Sequence, residues 1–217
     1  FSKISGGIDN SFYELKIETV SSTDYLKKYQ IQSPLINNYS VLNSFFSFEK
    51  YEDDYDFSTS IEVIEDLSKN NNDRYEYTFP SYEYAKNTDL NNQFLNNMKF
   101  NSSGSFRKYN TNVDEGDITN DFVFIKNNQN KMSNLSSDLN ILFRNINTYG
   151  DLSETYKNDV DYKVLNTVLL NLKYPLIKNA NTNKKFLTPL LSLRYSPTKG
   201  ANLKNENTFV PYENLFL

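Results

Sequence analysis

Two segments decide the reading of this chain: VLLNLKY at 168–174 and LTPLLSLRY at 187–195. In an extended backbone Val168, Leu170, Leu172 and Tyr174 share one face, and Thr167, Leu169, Asn171 and Lys173 share the other. The second segment repeats the pattern, with Leu187, Leu191, Leu193 and Tyr195 set against Thr188, Leu190, Ser192 and Arg194. A period of two is the signature of a strand with two unlike faces; an amphipathic helix would repeat every 3.6 residues.

The same alternation recurs along the chain. Tyr13, Leu15, Ile17 and Thr19 oppose Phe12, Glu14, Lys16 and Glu18; Phe57, Thr59, Ile61 and Val63 oppose Asp56, Ser58, Ser60 and Glu62. Tyr75, Tyr77 and Phe79 alternate with Arg74, Glu76 and Thr78, and weaker strands fit 41–49, 98–108, 119–126 and 139–148. Polar stretches at 50–55, 66–73, 110–117, 127–134, 150–159 and 178–185 read as connectors, rich in Asn, Asp, Ser and Lys. One short helical turn fits Tyr25–Tyr29 behind Ser22, Thr23 and Asp24, which offer cap side chains. No repeat or composition shift divides residues 1–217, so one all-β antiparallel meander is expected.

Composition narrows the function. The 217 residues hold 17 Tyr and 16 Phe, which a disordered tail could not bury, yet only 23% of the chain is charged. No stretch approaches the 18 or so apolar residues of a membrane-spanning helix. The apolar residues are segregated by position instead, as in the wall of a transmembrane barrel or in a hydrophilic soluble sandwich. Asn is abundant, at 33 positions, but scattered among aromatic and β-branched residues, which suits a coding bias better than a prion-like tract. A net charge of −4 and Lys pairs only at 27–28 and 184–185 give no nucleic-acid patch.

Catalytic chemistry finds little to work with. There is no His and no Cys, which removes imidazole bases, His-dependent triads, thiol nucleophiles and the usual zinc ligands. The acidic runs Glu52–Asp53–Asp54–Asp56 and Asp114–Glu115–Gly116–Asp117 lack the order of an EF-hand loop and read as solvated loop charge. No carboxylate pair is singled out for glycoside hydrolysis, and Gly6, Gly7 and Gly104 belong to no phosphate loop. The expectation is a protein without catalytic, cofactor-binding or metal residues.

Read in order, several segments resemble the barrel region of the lipopolysaccharide-assembly protein family LptD. STDYLKKY (22–29) precedes a strand pair at 41–49 and 56–64, and RYEYTFPSYEYAK (74–86) looks like that family's aromatic strand with a Pro and a Tyr-rich continuation. The fullest match runs from Leu172 to Phe216: LKYPL with Pro175, FLTPL with Pro189, YSP with Pro197, then Asn205 and Glu206, then Asn214, Leu215 and Phe216. Thr188 stands where the family usually has Glu, and Asn207–Thr208 replaces Asp–Ser.

The resemblance implies several things beyond the residues themselves. Residues 1–217 would be a partial barrel domain, with a jelly-roll before it and further strands after it. Its place would be the outer membrane of a Gram-negative cell, and its work would be the transport and assembly of lipopolysaccharide into the outer leaflet. An LptE-like lipoprotein plug, periplasmic Lpt bridge components and outer-membrane lipid would be its partners, with no nucleic acid. Val168, Leu170, Leu172, Leu191, Leu193 and Tyr195 would then face lipid, and Asn171, Lys173, Ser192 and Arg194 an aqueous lumen. By the same resemblance the strands of the lateral seam would lie outside residues 1–217, so no gate residue is assigned. Other outer-membrane barrels, such as a porin or nutrient channel, share the two-faced strands, as does a soluble glycan-binding sandwich.

Overall fold

The computed structural model describes all residues except 31–33, 35, 37, 91–93, 111, 130–133, 180–183 and 199–217. The described residues form twelve strands: β1 (Ser2–Ile8), β2 (Ser11–Ile17), β3 (Val41–Tyr51), β4 (Tyr55–Asp66), β5 (Tyr75–Asp89), β6 (Asn97–Tyr109), β7 (Val113–Gln129), β8 (Ser136–Asp151), β9 (Asp159–Lys173), β10 (Leu176–Asn179), β11 (Lys184–Leu187) and β12 (Leu190–Tyr195). Ten of them make one antiparallel sheet in which each strand pairs with the next in sequence from β1 to β9, and β12 then pairs with β9. β10 and β11 form a separate hairpin between those last two. Among the described residues the sheet is open, with β1 and β12 as its edges.

The expected meander is therefore present, with longer strands than the alternation marked. Val113–Asp117, read as polar loop, is the first part of β7, and β1 went unmarked altogether. The 187–195 segment is broken at Thr188–Pro189. Leu187 pairs with Leu176 in the small hairpin, and only Leu190–Tyr195 joins the large sheet. Physically the break is expected, because Pro189 has no N–H to give a ladder.

Turn chemistry closes the tight hairpins. Between β1 and β2 the chain reverses at Asp9 and Asn10, with Asp9 at φ 52°, a left-handed value that Asp tolerates better than most side chains. Between β3 and β4 the amide of Glu52 donates to the Tyr55 carbonyl at 2.8 Å. Pro80 sits inside β5, where Phe79 and Pro80 together oppose one residue of each neighbour: Ile61 on β4 and Phe106 on β6. This bulge absorbs a residue that cannot donate, and it also resets the alternation. Without it, Ser81 and Glu83 would follow Tyr77 and Phe79 on one face; with it, Tyr82 and Tyr84 do.

A small hydrophobic core lies at the end of the sheet where β2 leads into β3. Helix α1 (Tyr25–Tyr29) lays Leu26 on Leu42 and Leu67, all buried, with Val20 and Ile36 packed around them. Asp24 occupies the cap position but makes no side-chain cap bond. The turn is held instead by the Tyr25 amide donating to the Ser22 carbonyl and by Gln30, in left-handed conformation, donating to the Leu26 carbonyl.

Candidate functional site: two unlike faces of one sheet

Cross-strand partners in a sheet share a face, so register alone sorts the side chains. Leu172 lies opposite Leu191, Leu170 opposite Leu193 and Val168 opposite Tyr195. All six residues expected to face lipid are thus on one surface, called face A below. Asn171 lies opposite Ser192, whose hydroxyl donates to the Asn171 side-chain oxygen at 2.7 Å; Lys173 lies opposite Leu190, and Arg194 opposite Leu169. All four residues expected to face a lumen are on the other surface, face B. Pro175 stands between β9 and β10, Pro189 between β11 and β12, and Pro197 two residues past β12. Asn205, Glu206, Asn214, Leu215 and Phe216 lie outside the described residues.

Carrying the register across the sheet extends face A through Ile118, Phe122 and Phe124 of β7 and Ile141, Phe143 and Tyr149 of β8. It continues through Phe100 and Phe106 of β6 and Phe57, Ile61 and Val63 of β4 to Phe46 and Phe48 of β3 and Leu15 of β2. Many of its large apolar residues are exposed, with Val160 75% accessible, Tyr162 70% and Phe143 43%, while others, such as Phe124, Ile141 and Leu170, are half-buried. Within the ten-stranded sheet only Phe12, Tyr51 and Leu190 are exposed large hydrophobics on face B. Among the described strand residues, charged groups on face A occur only toward strand ends, at Lys50, Glu65, Lys86, Lys108, Asp114, Lys126 and Asp151. On β7 the face-A positions from Gly116 to Phe124 are free of charge, a span of nine residues, where a tilted strand needs about 9–11 to cross hydrocarbon.

Aromatic rings tile face A in two bands. One passes through Tyr55, Tyr84, Phe100 and Phe122 with neighbouring centroids 6.0, 6.0 and 4.6 Å apart. The other holds Tyr75, Tyr77 and Phe79, and farther along Phe106 over Tyr149 at 6.5 Å. Gly116 lies between those last two in register, and a Cβ there would come within 3.2 Å of the Phe106 ring, so the rings cover a position that a side chain would crowd. Between the bands runs a polar row. The Tyr82 and Ser102 hydroxyls lie 3.2 Å apart, Ser102 donates to Asn120 at 2.7 Å, Asn120 to Asn145 at 3.3 Å, and Asn147 to Asn145 at 2.6 Å. These amides and hydroxyls satisfy one another within the face.

Face B inverts the usual distribution of charge. Arg144 grips Asp121 with two bonds, Nε to Oδ1 at 2.6 Å and the terminal nitrogen to Oδ2 at 2.5 Å, and Asp121 is only 9% exposed. Lys16 pairs with buried Glu18 at 2.7 Å, Arg107 with Glu76 at 2.9 Å, Lys3 with Glu14 and Lys163 with Asp161 at 3.0 Å, and Lys173 with Asp138 at 2.8 Å. Leu142, Ile146 and Leu165 are buried among these polar chains, with Thr148 and Thr167. Sequence reading missed the pairs because each joins residues on different strands or two apart on one, and nothing local marks them. It could have placed Glu115 and Asp117, since the alternation of Val113, Glu115, Asp117, Thr119 and Asp121 continues straight into the marked strand.

At the turn between β8 and β9, residues 152–158 fold back over face B. Ser153 donates to Glu115 at 2.5 Å, Tyr109 donates to the same oxygen at 3.0 Å, and the amides of Thr155 and Tyr156 both donate to the Ser153 hydroxyl at 2.9 Å. Burial, and after it the negative charge of Asp117 and Glu115, push the Tyr156 hydroxyl above its ordinary pKa. No group of three or more potential metal ligands occurs among the described residues. No described helix is long and apolar enough to cross a membrane, which leaves strands untested as spans. Compared with known proteins, the chain matches no family model and no curated protein.

Proposed function

We propose that this sheet is an arc of a transmembrane β-barrel in an outer membrane, with face A against lipid acyl chains and face B lining an aqueous lumen. One observation carries the reading: exposed aliphatic and aromatic residues crowd one surface while the other carries a row of cross-strand ion pairs, two of them, Arg144–Asp121 and Lys16–Glu18, largely buried. A protein surrounded by water hides the first and displays the second, because apolar area removed from water gains about 25 cal/mol per Å² and an unpaired buried charge costs several kcal/mol. In a bilayer the same arrangement is the stable one. Edges β1 and β12 would pair with further strands, since hydrocarbon leaves no solvent for unpaired backbone groups.

Within that class we propose lipopolysaccharide as cargo, with an LptE-like plug and a periplasmic Lpt bridge as partners. The support is the ordered resemblance from Leu172 to Phe216 to the LptD barrel. The sugar portion would traverse the polar lumen and the acyl chains would leave through a lateral seam, since charged sugar avoids hydrocarbon and acyl chains avoid water. Depleting the full-length protein in its cell and measuring surface lipopolysaccharide tests the cargo. A fall supports it, and an unchanged level puts a porin or nutrient channel in its place.

A soluble glycan-binding sandwich is favoured by one feature, the Tyr82–Ser102–Asn120–Asn145 row between aromatic bands, since rings and amides side by side are also what a sugar platform offers. Expression without detergent separates the two. Aggregation or detergent dependence supports the barrel, and a sharp soluble monomer with a cooperative melt supports the sandwich.

A further inference from the structure

We infer that residues 152–158 form a latch folded onto the lumenal face, with Glu115 as its catch, that narrows the passage when seated. The inference rests on the barrel reading of face B. Four observations support it. The Ser153 hydroxyl is bound to Glu115, a carboxylate only 7% exposed that also accepts from Tyr109. Ser153 in turn gathers the amides of Thr155 and Tyr156, so one side chain both shapes the loop and ties it down. Gly150 of β8 makes room: a Cβ there would stand 2.8 Å from the Lys157 carbonyl oxygen and 3.1 Å from that of Tyr156. Gly150 also forms a parallel bridge to Asn158, and the loop is bounded by Leu152 at φ 53° and Asp159 at φ 80°. Those left-handed values at both feet are where a non-glycine backbone is strained, and they return the segment over the sheet.

Register places Arg107, Glu115 and Gly150 side by side on face B, with Asp117 and Tyr109 as the next face-B residues along their strands, so every group that holds the loop is a lumenal one. Lys157 adds a bond to Asp161 at 3.0 Å, itself shared with Lys163. The loop is thus fastened chiefly by a few hydroxyl and ionic contacts over a polar surface, with Tyr156 half-buried beneath it. Such contacts are individually modest and exchange readily with water, which suits a closure that opens.

The test uses the full-length protein in planar lipid bilayers, with hydrogen exchange on the same preparations. Glu115→Ala and Ser153→Ala should each raise the ratio of open to closed conductance by about tenfold, the effect of losing one charged hydrogen bond, and should speed exchange at the Thr155 and Tyr156 amides. Gly150→Val should do the same by collision, with the hydrogen-bonding side chains intact. Unchanged exchange in Glu115→Ala and Ser153→Ala overturns the latch, and faster exchange with unchanged conductance overturns its role in the passage. If the wild-type protein neither inserts nor conducts, the barrel reading falls and takes this inference with it; if it conducts and the variants match it, only the latch falls.

Discussion

Two regions of this chain follow opposite rules. Around α1, Leu26, Leu42 and Leu67 are buried against each other as in any water-soluble domain. A few residues farther along the same face, Phe46 and Ile61 are exposed. Leu42 and Phe46 are on one strand and one surface, so propensity does not separate them; what separates them is whether the chain itself supplies a cover. At the strand ends a helix does so. Across the body of the sheet nothing in the described residues does, and there the charged groups are found on the far face, paired. The lesson is that the fold seals its margin by packing and leaves its broad apolar surface uncovered by the described residues.

Substitutions at matched positions break or sharpen this comparison. The largest effect is expected at Arg144→Ala, which strands the Asp121 carboxylate in a crowded site and should cost about 3–5 kcal/mol of folding stability in lipid vesicles. A loss under about 1 kcal/mol would mean that face B is wet enough to solvate Asp121 alone. Next comes Leu170→Arg, expected to cost roughly 2–4 kcal/mol of insertion if face A meets mid-bilayer hydrocarbon. The control is Ser192→Arg on face B, expected within about 0.5 kcal/mol of wild type. Equal effects at the two sites would erase the distinction between the faces. Leu26→Ala should cost about 2 kcal/mol, at the low end for a buried leucine because the cluster is small and marginal, and should leave insertion intact. The smallest effect concerns pH. Tyr156 titrates above its ordinary value, so its neutral form favours the seated loop below about pH 10, and that contribution is lost as pH rises through the raised value. The protection factor at the amides of 153–156, taken against the unstructured rate at the same pH, should fall in that alkaline window in the wild type, and Tyr156→Phe should remove the fall.

Much of the architecture was legible because strand faces are written locally. Val168, Leu170 and Leu172 declare their shared face within five residues, and register then joins them to Leu191, Leu193 and Tyr195. What depended on distant partners was not legible. β1 carries Ser, Gly and Lys among two isoleucines, a pattern too weak to mark until β2 pairs with it. The bulge at Phe79–Pro80 hid the continuity of the aromatic face, because a strict count of two puts Tyr82 and Tyr84 on the wrong side. Acidic density disguised Asp114–Asp117 as loop, although Gly116 and Ile118 kept the beat. The Ser153–Glu115 bond spans a hairpin and has no sequence signal at all.

Site-directed spin labelling at each position from 160 to 170, in the full-length protein folded into lipid vesicles and cleared of any other cysteine, tests the central claim most directly. The account predicts accessibility that alternates with a period of two: oxygen dissolved in hydrocarbon reaches 160, 162, 164, 168 and 170, and a water-soluble relaxation agent reaches 161, 163, 169 and their neighbours on face B. Labels at 162, 164 and 168 that meet neither oxygen-rich hydrocarbon nor a lipid boundary, but are shielded by protein, would contradict it.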